Sequence, residues 1–130
     1  MEKEIINPEK LCKPHAIYSH AIRVKAGHLL FIKGITARDK DFNLIGKGDI
    51  KAQSRQIFEN MKIILEQAGA TFDNIAKLTT FVRDISKFKE IHEVRAEYFK
   101  KDYPATTMVE VSRLASEDVL IEIEAIAALD

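Results

Sequence analysis

The sequence predicts an α+β domain, one mixed β-sheet with two helices on one face. Three observations carry that reading. Residues 49–69 and 86–102 repeat apolar side chains at helical spacing between capping residues. Residues 77–83, 106–111 and 119–128 are β-branched or apolar over strand lengths. The resulting order is strand, hairpin, helix, strand, helix, strand, strand. A chain of 130 residues without a linker, repeat or low-complexity tract makes one domain, residues 1–130.

Each element has a local cause. Glu4-Ile5-Ile6 is a short first strand, ended by Asn7-Pro8. Residues 21–25 and 28–33 flank Ala26-Gly27, which reads as a hairpin turn. Gly34 ends the second strand of that pair, and residues 35–48 form a loop with Arg38-Asp39-Lys40-Asp41 and Gly46-Lys47-Gly48 as turns. Asp49 caps the first helix, whose inner side is Ile57, Phe58, Met61, Ile64, Leu65 and Ala68; Gly69 is its C′ residue. After the turn 71–74 comes the strand 77–83. Ser86 is expected to cap the second helix, with Phe88, Ile91, Arg95, Tyr98 and Phe99 inward. Asp102-Tyr103-Pro104 stops it, and the last two strands follow.

The last strand sets Ile121, Ile123, Ala125 and Ala127 on one face and Glu122, Glu124 and Ile126 on the other. The first face suits the helices. The second is mixed, and Leu29, Phe31, Val109 and Val111 make parts of the sheet apolar on both sides. Two helices cannot cover both faces, so self-association in a closed oligomer is expected, with no subunit number fixed by this argument.

Composition excludes several classes. Twenty basic and twenty acidic side chains cancel, which gives no global attraction to nucleic acid or membrane. The first residues lack the apolar core of a signal peptide, and no run approaches a membrane span. Cys12 is the one cysteine, so no internal disulfide forms, and the expected compartment is the cytoplasm. His15, His20, His28 and His92 show no helical i, i+4 pair, so no metal is expected. Gly34, Gly46 and Gly48 have neither dinucleotide-loop nor P-loop spacing, and Ser19, Ser54 and Ser112 lack a nucleophile elbow. Lys33, Arg38 and Lys40 are able to hold an anion or to stand as solvated loop charge.

The C-terminal strand is the chemical signal. Glu122 and Glu124 lie on one face, roughly 6–7 Å apart along the strand. A carboxylate in an apolar strand is costly unless solvated, paired or used. The pattern fits a general acid/base in a half-buried cleft, and equally a solvated face or ion pairs to Arg113 or Lys77.

Several separated segments share one further property. Ala16-Ile17-Tyr18-Ser19-His20-Ala21, Gly34, Ala52-Gln53-Ser54-Arg55-Gln56 with Asn60, Ala68-Gly69-Ala70, residues 109–114 and residues 121–127 resemble, in order, the Rid/YjgF family. These are reactive-intermediate deaminases, also called endoribonuclease L-PSP or translation-inhibitor proteins, and the resemblance spans about residues 14–128. It implies a chorismate-mutase-like fold, a homotrimer with three clefts between subunits, and hydrolysis of enamines and imines such as 2-aminoacrylate to 2-keto acid and ammonia. It implies no cofactor and no metal. By position, Tyr18 matches the tyrosine lining the cleft, Gly34 the glycine whose backbone approaches the ligand, and Glu122 the glutamate that positions or activates water. The resemblance thus gives Glu122 a function and leaves Glu124 structural.

The departures cluster at the same cleft. The residue after Pro-Ala, an arginine clamping the substrate carboxylate in archetypal deaminases, is Thr106. The cysteine two residues on is Met108, the helix asparagine is His92, the serine before the glycine is Lys33, and the glutamine of the tyrosine motif is His20. Thr106, Met108, His92 and Lys33 are therefore expected to line the substrate site beside Tyr18 and Gly34. Either the anion site is rebuilt from Lys33, Arg38, His20 or His92, or the cleft takes a compound without a carboxylate. Three functions follow in order: an imine or enamine deaminase with a substrate other than 2-aminoacrylate, a non-catalytic trimer binding a small metabolite, and last an endoribonuclease, which neutral charge and the absence of a basic aromatic stripe disfavour.

Overall fold

A computed structural model describes residues 2–130. Its strands are β1 (Glu2–Ile6), β2 (Ala21–Lys25), β3 (His28–Ile35), β4 (Ile75–Val82), β5 (Ala105–Glu110) and β6 (Ile121–Leu129). The helices are α1 (Ile50–Gln67) and α2 (Phe88–Tyr98), each next to a short 3₁₀ turn, Phe72–Asn74 after α1 and Ile85–Lys87 before α2. The main sheet is mixed, in the order β3-β6-β4-β5: β6 runs antiparallel to β3 and β4, and β4 runs parallel to β5. Two helices on a mixed sheet make this the expected α+β fold.

Strand β6 is the hinge of the argument because it is central. Ile121, Ile123, Ala125 and Ala127 are buried and join Ile57, Phe58, Met61, Leu78, Val82 and Ile91 in the core between sheet and helices. Helix α1 starts where Asp49 accepts the amide of Ala52 and turns off at Gly69, whose φ of 74° suits glycine. Buried Gln53 ties it to the segment leading into β6 and to the preceding loop: its Nε2 donates to the carbonyls of Gly46 and Asp118, and its Oε1 accepts the Leu120 amide at 3.0 Å. The α1 side chains thereby fix the entry to β6.

Three local expectations are corrected. Strands β2 and β3 do not form the expected hairpin. β2 pairs antiparallel with β1 in a separate two-stranded ribbon, while β3 pairs with β6 and the Gly27 amide donates to the Leu129 carbonyl at 2.9 Å. Apolar alternation cannot name a strand's partner, and β6 offered β3 a longer apolar edge. The turn before α2 is capped by Asp84, which accepts both the amide and the hydroxyl of Ser86, so Ser86 is the donor here. Phe88 is 43% exposed and packs edge-on against His92 outside the core.

The far face of the sheet carries no helix. Phe31 is 72% exposed there and Leu29 57%, and Val109 is exposed on the opposite edge strand. Among the described residues no helix is long and apolar enough to cross a membrane.

Candidate active site

Glu122 lies on the helix-free face, half-buried, with Phe81 of β4 as its register partner. Its other neighbour is built by an irregularity. The β3–β6 register slips between Ile32 and Ile35, so Lys33 and Gly34 together stand opposite Glu124, one pleat along β6 from Glu122. Gly34 leaves there a gap that the Glu122 side chain fills: a Cβ at Gly34 would stand 2.5 Å from Glu122 Oε2 and 2.8 Å from Cδ. The carboxylate is therefore laid against bare backbone. Among the described residues it makes no hydrogen bond and no ion pair. Lys33 does not reach it; its Nζ donates to the Gly34 carbonyl at 2.9 Å and stiffens the slipped segment.

The alternative of structural ion pairs for the two glutamates is not realised. Lys77 Nζ donates to Thr107 Oγ1 at 2.8 Å, and Arg113 pairs with neither. Glu124 is exposed and borders a cavity of about 240 Å³ with Phe31, Lys33 and Lys77 on the same face.

Thr106 and Met108 lie elsewhere. In the parallel β4–β5 register Thr106 matches Leu78 and Met108 matches Thr80, and both β4 residues are buried on the helix side. Paired residues share a face, so Thr106 and Met108 project toward the helices while Glu122 projects away. Met108 packs on the core accordingly. His92 is half-buried on α2; burial first, then the Arg95 charge, holds its imidazole below the usual histidine range. Tyr18 belongs with this second group. The neighbouring Ser19 donates its amide to the Pro104 carbonyl and its hydroxyl to the Tyr103 carbonyl, which anchors the tyrosine loop at the start of β5. Tyr18 Oη accepts the His15 amide at 3.2 Å, and its ring meets His20 edge-on.

Within one chain the expected site residues therefore fall into two groups. Glu122, Gly34 and Lys33 are on one face of the sheet; Thr106, Met108, His92 and the Tyr18 loop are at the β5 and α2 side. Arg38 serves neither, since its guanidinium lies over Phe42 at 4.5 Å and donates to the Phe42 carbonyl. His20 is held by the Cys12 carbonyl at 2.6 Å. Among the described residues no group of three histidine, cysteine or carboxylate side chains is arranged to hold a metal. A separate cavity of about 570 Å³ opens at the start of α1 beside Asp49, Arg83 and Lys87, and shares no residue with either group.

The Endoribonuclease L-PSP family model matches residues 9–129. The chain belongs to the Rid/YjgF family. A RutC family protein of Pyrococcus horikoshii is 50% identical, with 96% of this chain and 97% of that protein covered. The 3-aminoacrylate deaminase RutC of Acinetobacter baylyi is 37% identical, with 98% of each chain covered. Among solved structures, the Rid family protein YyfB of Yersinia pestis, described as of unknown function, superposes with a TM-score of 0.91 at 34% identity, covering 99% of this chain and all of that one. In the Rid fold seen here, one residue escaped the sequence reading as a site candidate: Arg95. It is 2% exposed, and its Nε and Nη2 are buried without an acceptor. An arginine on the buried stripe Ile91–Arg95–Phe99 was the available signal.

Proposed function

We propose that the protein hydrolyses imines or enamines of small metabolites, with Glu122 as the group that activates water. The observation that carries this is an unpaired carboxylate laid against the side-chain-free Gly34 at a register slip. A structural glutamate would be paired or fully solvated. Hydrolytic chemistry needs an acceptor within reach of water and of the amine nitrogen. As the water oxygen bonds to the C=N carbon, Glu122 takes its proton and the π pair moves to nitrogen. Glu122 returns that proton to the nitrogen, giving a carbinolamine; its hydroxyl proton then passes to the amine nitrogen as the C–N bond breaks, the oxygen pair closes the carbonyl and ammonia leaves, an enamine entering the same path once its N–H proton has moved to carbon. The name of the Acinetobacter relative, a 3-aminoacrylate deaminase, supports the class of reaction.

The two groups face opposite ways, so a cleft holding both needs two chains, and the exposed Phe31 and Leu29 face offers a surface for a second copy. We therefore place the reaction at clefts between subunits of a homotrimer in the cytoplasm, acting on a small molecule without cofactor, membrane or nucleic-acid partner. Lys33 and Gly34 would line the water side of the cleft, and Thr106 would offer one neutral hydrogen bond.

The test is ammonia release from freshly generated 2-aminoacrylate and from larger imines, wild type against Glu122→Gln. A fall of about 10²–10⁴ in kcat with the fold intact is expected. Full activity in Glu122→Gln refutes the role. Tight ligand binding with no turnover on any imine selects the second reading, a metabolite-binding trimer, which the apolar Met108 wall favours. Sedimentation equilibrium tests the trimer; a stable monomer refutes it.

A further inference from the structure

Arg95 is a buried cation that the fold leaves unpaired. Helix α1 contacts β3 and β6 and lies beside α2, which puts α2 over the β4–β5 half of the sheet. Toward α1, α2 presents Glu93 and Glu97, paired with Lys51 and Arg55. At about 100° per residue, Arg95 points half a turn away from those glutamates, on the arc shared with buried Ile91. Its helical neighbours at i−3 and i+4 are His92 and Phe99. It thus belongs to the layer onto which Thr106 and Met108 project.

The two unpartnered nitrogens form a set. Nε and Nη2 are one edge of the guanidinium, two parallel N–H donors matched to two oxygens of a planar anion. The same protein shows that edge in use: Arg55 donates from Nε to Glu97 Oε1 at 3.1 Å and from Nη2 to Glu97 Oε2 at 2.7 Å. At Arg95 no carboxylate among the described residues plays the part of Glu97. A second orphan lies in the same layer. Thr80, register partner of Met108, keeps its buried Oγ1 without a partner. Desolvation is costly for a guanidinium, and burial indeed lowers its proton affinity. Two adjacent buried donors without a partner match a planar two-oxygen anion in number and spacing.

We propose that Arg95 receives the carboxylate of the substrate, supplying from helix α2 the clamp that Thr106 cannot supply from β5. The substrate class of the proposed deaminase is thereby narrowed to imino acids that become 2-keto acids, and the inference rests on that reading for the ligand's identity. Lys33, Arg38, His20 and His92 are then not the source of the anion clamp. Arg95 acts as a specificity-determining residue; it takes no part in proton transfer.

The probes are 2-oxobutanoate and its neutral amide, 2-oxobutanamide, added to the intact protein. The Arg95 Nε–H resonance, assigned by its disappearance in Arg95→Met, is expected to shift with 2-oxobutanoate and to stay with the amide. Affinity for 2-oxobutanoate should fall at least about tenfold in Arg95→Met and recover in part in Arg95→Lys, with the amide indifferent to both. In turnover, the loss should fall on KM, leaving kcat within a few fold. An unmoved Arg95 resonance in the 2-oxobutanoate complex, or no binding of 2-oxobutanoate at millimolar concentration, overturns the proposal. So does equal affinity in wild type and Arg95→Met. The two readings fail separately. Imine hydrolysis that needs Glu122 but has the same KM in Arg95→Met removes the clamp and keeps the deaminase. An Arg95 resonance that responds to 2-oxobutanoate in a protein hydrolysing no imine keeps the clamp and removes the deaminase.

Discussion

Replacing Gly34 with alanine puts a methyl carbon where the Glu122 carboxylate rests. The built Cβ stands 2.5 Å from Oε2, 2.8 Å from Cδ and 3.0 Å from Cγ. Ordinary contact needs about 3.4 Å or more, so the carboxylate must withdraw by roughly 1 Å. A displacement of that size at a reacting group costs about a hundredfold in rate. Stability should barely change, because the clash is with the far end of a flexible, half-buried side chain and the position lies outside the left-handed backbone region. The assay is kcat for imine hydrolysis alongside thermal unfolding of Gly34→Ala. A paired control is the double variant Gly34→Ala/Glu122→Gln, which should be no slower than Glu122→Gln alone, because both changes disable one group. Activity within about twofold of wild type, or a further loss in the double variant, would refute the idea that Gly34 exists to seat Glu122.

Three further outcomes follow from other parts of the molecule. Burial lowers the Arg95 guanidinium from the ordinary arginine range to about 10, a penalty on the charged form of about 3 kcal/mol. The folded value is below the unfolded one, so the penalty is present at all pH below about 10 and is relieved as pH rises from there toward the ordinary arginine range. Arg95→Met should therefore raise stability by about 1–3 kcal/mol in urea unfolding at pH 7 and fixed protein concentration; a loss would show an unseen partner. His92 is held below the usual 6.5 by burial and by Arg95. Its folded value is depressed, so the unfolded chain binds the proton first, and stability should fall as pH drops through about 6.5. Tm between pH 7.5 and 5.5 should show a smaller acid loss in His92→Gln than in wild type, and equal slopes would contradict it. Gln53→Leu orphans the Leu120 amide and the Gly46 and Asp118 carbonyls, and should cost about 2–4 kcal/mol in chemical denaturation.

The sequence carries some of these features locally and others not at all. Asp49, Gly69 and the alternation of β6 act within a few residues of themselves, so the first helix and the face of Glu122 were readable directly. Gly34 was singled out by resemblance, but its physical reason is the register slip that no local pattern announces. That Thr106 and Met108 face away from Glu122 within one chain depends on the β4–β5 and β4–β6 registers together, which are long-range facts. Ser86 and Asp84 are both good cap residues, and a 3₁₀ turn moved the cap two positions upstream. Arg95 fell in an inward stripe, which reads as packing; only three-dimensional burial without an acceptor shows that its charge is unspent.

The bare, apolar face around Phe31 carries a consequence for how activity depends on amount. On the assembly proposed above, no chain holds a whole site, so the working catalyst is a product of mass action. Specific activity per chain should then decline on dilution while the helices and strands stay formed. A substitution such as Phe31→Glu would silence the chemistry with every reacting group chemically intact, and raising the protein concentration would restore it.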